Sequence, residues 1–221
     1  MGTILLGVGA WQILRPETTP STVQTMDTTT AAVVLAPPSG YMGEAGYPVG
    51  FPHTEMGAVS AAAATLEATW TLDFQQAEQA ATLYALPEQQ EAARAGARAV
   101  VAEWRETLGL PTGGKLPNGA AMRTRTIGVQ WQARAQDQIQ VSVLVQVTAT
   151  KGNEDTDPIY SSPWVMNLLM SWNSSMRGVG HGDWVNIRDP LPSALPEAAL
   201  PGTPEFTAAG WKPISGPEPI S

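Results

Sequence analysis

The chain has 221 residues, enough for one domain of about 100 to 150 residues plus tails. Its 12 Lys and Arg residues against 20 Asp and Glu residues give a net charge of −8, which repels polyanions and excludes nucleic acid as an expected partner. It contains no cysteine, so disulfides, thiolate catalysis and cysteine-bound metal are excluded.

The chain opens with an uncharged apolar run, Met1–Leu14, followed by Arg15 and Pro16. A bilayer span needs about 20 apolar residues, so this run is short for a full transmembrane helix. We interpret residues 1–15 as a membrane anchor or its remnant, truncated or mis-started. The alternative is an ordinary buried strand or helix.

Two segments have the composition of linkers. Residues 16–52 are rich in Thr, Pro, Gly and Ser and lack periodicity, which predicts a linker. Residues 189–221 contain eight prolines, which predicts an extended tail that could lie along the domain. The folded domain is therefore predicted to occupy residues 53–188.

Three helices are predicted at the start of that domain. Thr54 is a candidate N-cap for an alanine-rich helix, and Asp73 is a candidate N-cap for a second one. The third, from Pro87 to about Leu108, has apolar residues at helical spacing and ends before Gly109.

The second half of the domain changes to the alternation of strands. The pattern predicts strands over 121–135, 139–148 and 164–172, and a short last strand after Gly182. In the first strand we expect one face to hold Arg123, Arg125, Ile127, Val129, Trp131 and Ala133, and the other to hold Thr124, Thr126, Gln130 and Gln132. Helices followed by an antiparallel meander predict an α+β fold in which a curved sheet packs against the helices.

Common catalytic motifs are missing from the sequence, including a glycine-rich phosphate loop, GxSxG and HExxH. The two histidines, His53 and His181, are interpreted as structural. An acid/base pair of Asp183 and His181 with Asp73 or Glu67 is the catalytic alternative, although Asp183 more simply completes a Gly-Asp turn. We predict no enzyme activity, no cofactor and no metal.

Six tryptophans fall on predicted helices and strands. Their simplest interpretation is core packing, and the alternative is an aromatic groove for a peptide or glycan. The residues concerned are Trp70, Trp104, Trp131, Trp164, Trp172 and Trp184.

Two local phrases carry a family resemblance. The stretch GYPVGFPHTEMGAVSAAAA, residues 46–64, resembles a phrase of actinobacterial membrane-anchored proteins encoded with conjugation and mobile-element genes. The ending GDWVNI, residues 182–187, is similar to the last strand of nuclear-transport-factor-like domains. The order of anchor, linker, helices and curved sheet resembles the bitopic scaffold subunits of type IV secretion and conjugation machines.

The resemblance implies a nuclear-transport-factor-like cone and a non-enzymatic scaffold on the outer face of the cell membrane. Its expected partners are copies of itself and other subunits of a membrane complex. From strand alternation we predict an interface of polar strand residues and one tryptophan. These residues are Gln130, Trp131, Gln132, Gln140, Ser142 and Gln146.

Two other functions remain open at this point. A small isomerase- or hydratase-like enzyme of the same cone fold would require a deep apolar pocket with His or Asp at its base. An accessory structural subunit of a larger particle would require ordered tails that lie across neighbouring chains.

Overall fold

The computed structural model describes residues 31–152, 160–190 and 193–215. Within these residues the chain forms an α+β fold, as predicted. The predicted anchor, residues 1–15, lies outside the described residues. The elements are β1 (Gly40–Met42), β2 (Tyr47–Val49), α1 (Glu55–Thr69), α2 (Phe74–Leu83), a 3-10 turn (Pro87–Gln89) that leads into α3 (Gln90–Thr107), β3 (Ala120–Ala135), β4 (Gln138–Lys151), β5 (Tyr160–Asn173), β6 (Asp183–Ile187), α4 (Pro204–Ala208) and β7 (Lys212–Pro213).

The three predicted helices are confirmed, together with the two caps. Thr54 Oγ1 accepts a hydrogen bond from the backbone N–H of Gly57, and Asp73 Oδ1 accepts one from the N–H of Gln76. α1 is rich in alanine and is buried along most of its length, because the small side chains let the helix pack close to the sheet. It is therefore the helix that packs directly on the main sheet, where it contacts β3, β4, β5 and β6.

The main sheet has five antiparallel strands in the order β6-β5-β4-β3-β7. β4 is its central strand, and Val141, Val143, Val145 and Val147 are fully buried against the helices. A separate two-stranded sheet pairs β1 with β2.

The predicted faces of β3 are wrong for the first half of the strand. The register with β4 shifts between Thr126 and Gly128, so Ile127 is the extra residue of a β-bulge. One inserted residue reverses which side chains point inward. Thr124 and Thr126 are therefore buried on the same side as Val129, whereas Arg123 and Arg125 are exposed.

The predicted boundaries of the linker and tail differ from the structure. Residues 40–49, placed in the linker, form the β1–β2 hairpin, and Tyr47, Val49 and Phe51 are buried. Full burial of a large apolar side chain stabilises the folded state by about 1.5–3 kcal/mol, so these three residues favour packing of the hairpin on the domain.

Residues 193–215, placed in the tail, cross the outer face of the sheet, and we call this segment the strap. Phe206 and Trp211 are buried there with Leu144 of β4. Gln130 Nε2 donates to the Ala209 carbonyl at 2.7 Å, and β7 pairs with Gly128 and Val129 of β3. The strap thus forms a third layer over the sheet.

The two ends of the described chain meet beside β7. Val33 forms a parallel bridge with Ile214, in which the N–H of Val33 donates to the Pro213 carbonyl at 2.7 Å. At the opposite edge, Ala85 forms a parallel bridge with Asn186 of β6. Each edge strand of the sheet is therefore partly covered by the chain itself.

Candidate functional site

Asp183, one of the candidate catalytic residues, accepts four hydrogen bonds. Its carboxylate is completely buried and accepts hydrogen bonds from the N–H groups of Gly50 at 2.8 Å, Phe51 at 3.1 Å and Trp184 at 2.9 Å. Arg177 Nε donates to it at 2.8 Å. Asp183 therefore fastens the hairpin to β6. Each of its two carboxylate oxygens accepts two hydrogen bonds, so neither oxygen is free for proton transfer.

The acid/base pair proposed for Asp183 is not formed. His181 is exposed, Asp73 caps α2, and Glu67 accepts a hydrogen bond from the Thr126 N–H at 2.7 Å. Each carboxylate is thus used to satisfy backbone donors in a different part of the fold.

His53 has a partner that spacing could not identify. Its Nε2 lies 2.8 Å from Asp137 Oδ1, and its ring stacks on Trp172 with centroids 4.2 Å apart. Asp137 occupies the β3–β4 turn with a positive φ of 59°. This exposed pair connects the start of α1 to the tip of the β3–β4 hairpin.

Most of the tryptophans serve the core, as their simplest interpretation predicted. Trp70, Trp104 and Trp164 form edge-on or tilted contacts with centroids 5.4–6.2 Å apart. The Trp184 indole donates to the Pro52 carbonyl at 2.9 Å. Trp131 is half-buried, and its indole lies 3.2 Å from Glu55 Oε2.

The six predicted interface residues do not form one exposed patch. Gln140 and Ser142 are buried under the strap, and Gln140 Oε1 accepts a hydrogen bond from Ser193. Gln130 also bonds the strap, whereas Gln146 bonds Ser161 and Gln132 bonds Gln140. Their assignment to an interface with another chain stays a prediction.

Two exposed apolar residues follow each other on the β1–β2 hairpin, a feature that sequence reasoning missed. Tyr41 is 68% exposed and Met42 46%, and Val34 nearby in the chain is 74% exposed. All residues from 41 to 46 are exposed. We call Tyr41, Met42 and the turn to Gly46 the hairpin tip. The sequence signal was the glycine pair, Gly43 and Gly46, since both adopt positive φ in the turn.

Two clefts flank the hairpin tip. The first, of about 770 Å³, lies between the tip, α2, α3 and the loop after β5, and we call it the hairpin cleft. Its lining includes Met42, Glu44, Leu83, Arg94 and Met176. The second, of about 580 Å³, lies between α1 and residues 35–48 and is lined mainly by Ala, Pro and Tyr41.

A third cleft, of about 550 Å³, separates α3 from the sheet. Its floor is apolar, with Leu66, Trp70, Val100 and Leu168, and Glu88 and Arg188 lie on its lining. His181 and Asp73 line none of these three clefts. Among the described residues, no group of three His, Asp or Glu side chains is placed to hold a metal ion.

Within the described ranges, every helix is too short or too polar to cross a bilayer. Comparison of the chain with protein-family models, with curated proteins and with solved structures gives no match.

Proposed function

We propose that this chain is a non-enzymatic assembly domain that acts through protein–protein contacts in a membrane complex. The observation that carries the proposal is the hairpin tip, which exposes Tyr41 and Met42 between two open clefts. Successive strand residues point to opposite faces, so Met42 lines one cleft and Tyr41 lines the other. Tyr and Met are both enriched at interaction surfaces.

The hairpin is held in place before any partner binds. The Tyr84 hydroxyl donates to the Pro48 carbonyl at 2.8 Å, and the Tyr47 hydroxyl donates to the Gln76 carbonyl at 3.0 Å. Asp183 holds Gly50 and Phe51 directly after β2. A surface that is already ordered loses less conformational entropy on binding, which favours affinity.

The family resemblance supports the kind of complex. The stretch 46–64 covers β2, the attachment of Gly50 and Phe51 to β6, and the first turns of α1, so its residues have structural roles. For example, a Cβ on Gly57 would lie 1.8 Å from the Pro52 carbonyl oxygen. We propose a scaffold subunit of a conjugation or type IV secretion machine with a nuclear-transport-factor-like cone, anchored by residues 1–15 and facing outward.

The first test is the mass of the chain from residue 17 onward, measured by light scattering across a wide concentration range. Self-association that strengthens with concentration is expected. A chain that stays monomeric throughout, and that cross-links to no membrane-complex subunit in cells, would rule out the assembly role.

The cleft between α3 and the sheet favours a second candidate, a small-molecule-binding or isomerase-like domain. Its volume and apolar floor fit the usual properties of ligand sites. A thermal-shift screen with small apolar ligands tests it, and Val100→Trp, which would fill the cleft, is the matched variant. Stabilisation in the wild type but not in the variant would support this candidate.

A further inference from the structure

We propose that the occupant of the hairpin cleft is a second copy of this chain, docked about a two-fold axis. In this contact the hairpin tip of each copy enters the hairpin cleft of the other, and Glu44 of one copy pairs with Arg94 of the second copy. The inference rests on the proposed assembly function and specifies its self-association surface.

The hairpin tip and the hairpin cleft lie next to each other on the molecule. The tip is a projection in which residues 41–46 are all exposed, whereas the cleft beside it is a concavity of about 770 Å³. A two-fold contact uses the same patch on both copies, so it requires a self-complementary patch, and a projection beside a concavity is one form of such a patch. The hairpin tip and hairpin cleft meet this requirement because Met42 and Glu44 belong to both.

The charges of the cleft point to the same occupant. Glu44 and Arg94 are both exposed and both line the cleft, yet among the described residues neither forms an ion pair. The nearby Arg98 and Glu78 do pair with each other. In the two-fold contact, Glu44 of each copy lies opposite Arg94 of the other copy. The contact therefore contains two ion pairs, and all four charged groups have a partner.

The apolar residues of the cleft supply the remaining contact. Met42, Leu83, Pro87 and Met176 line it, and methionine adapts readily to a partner surface. Association through the sheet edges is less favourable, because Val33 covers part of β7 and Ala85 covers part of β6.

The experiment uses two opposite charge reversals, Glu44→Arg and Arg94→Glu, in the chain from residue 17 onward. Each variant alone places like charges in both contacts of its own dimer, and we expect its association constant to fall roughly tenfold or more, as for unfavourable interface charges. An equal mixture of the two variants places opposite charges in both contacts. We therefore expect the mixture to associate within about threefold of the wild type at low salt.

Glu91→Arg is the matched control, since Glu91 is exposed on the same helix but does not line the cleft. Circular dichroism confirms that each variant is folded. If the wild type associates and the reversals or their mixture do not change association in this pattern, the inference is wrong and the assembly function stands. If the wild type associates with nothing, both are wrong.

Discussion

At the residue scale, Asp183 and Arg177 form the buried ion pair that holds the hairpin to the sheet. Among the described residues Asp183 is the only hydrogen-bond partner of the Arg177 side chain. Asp183→Asn would leave the buried guanidinium without its counter-charge, and such changes cost about 3–5 kcal/mol. We expect a corresponding fall in the free energy of unfolding, measured by urea denaturation.

The matched control is Asp137→Asn, which removes an exposed carboxylate from its contact with His53. An exposed pair contributes no more than about 1 kcal/mol, and asparagine tolerates the positive φ at this position. Equal destabilisation by the two variants would contradict the anchoring role of Asp183.

Tyr84 is the residue that should govern stability in alkaline solution. Burial raises the pKa of Tyr84 well above its ordinary value of 10, and burial and then Asp73 raise the pKa of Tyr47 in the same direction. Between pH 10 and the higher folded pKa, the unfolded hydroxyl loses its proton while the folded one keeps it. The folded state then binds more protons, so the free energy of unfolding falls as pH rises through 10.

The variant Tyr84→Phe tests this sign. It should lose about 1 kcal/mol at neutral pH with the hydrogen bond to Pro48, but its stability should fall less steeply above pH 10. Urea titrations from pH 8 to pH 11 measure both effects. A decline as steep as that of the wild type would show that another group controls alkaline unfolding.

At the element scale, the strap is held by close packing against one glycine of β3. A Cβ on Gly128 would lie 2.9 Å from the Phe206 ring and 3.4 Å from Leu144. Gly128→Ala should therefore displace the strap, at a cost of about 1–3 kcal/mol for overpacking. Hydrogen exchange at the backbone amides of residues 206–211 should become faster, because Trp211 would lose its buried site.

Gly96→Ala is the control for that change. Gly96 is exposed on α3, and an added Cβ there meets nothing within 4 Å. It should stabilise the chain by about 0.5–1 kcal/mol through helix propensity. Unchanged exchange in the strap of Gly128→Ala would contradict the packing argument.

The elements also show which features a sequence can reveal. The helices and central strands followed from periodicity and capping, since Thr54, Asp73 and the valines of β4 act locally. The strap was predicted only as an extended tail that could lie along the domain. Its proline content gave no signal for the two buried aromatic residues that anchor it, Phe206 and Trp211.

The candidate site was predicted less well than the fold. The hairpin tip lay in a segment whose Gly and Pro content reads as linker, and exposure of Tyr41 depends on tertiary packing. The role of Asp183 depends on donors 132 and 133 residues away, which no local pattern indicates. The bulge at Ile127 likewise depends on pairing with β4.

At the scale of the whole molecule, the cooperative folding unit should extend beyond the domain that composition predicts. A fragment of residues 53–188 lacks five residues that are buried in the described structure: Tyr47, Val49, Phe51, Phe206 and Trp211. Full burial of such side chains contributes about 1.5–3 kcal/mol each, so their loss amounts to much of a typical stability of about 5–15 kcal/mol.

The same fragment also loses two donors to Asp183 and the strand that covers β3. A fragment of residues 31–215 keeps all of these contacts, including the bridge between Val33 and Ile214. We expect 31–215 to unfold cooperatively on heating and 53–188 to lack a sharp transition, as measured by circular dichroism and amide dispersion in NMR spectra. If both fragments unfolded cooperatively at the same temperature, the hairpin and the strap would contribute nothing to the stability of the helices and central sheet. The clefts around the hairpin could then open without unfolding the domain.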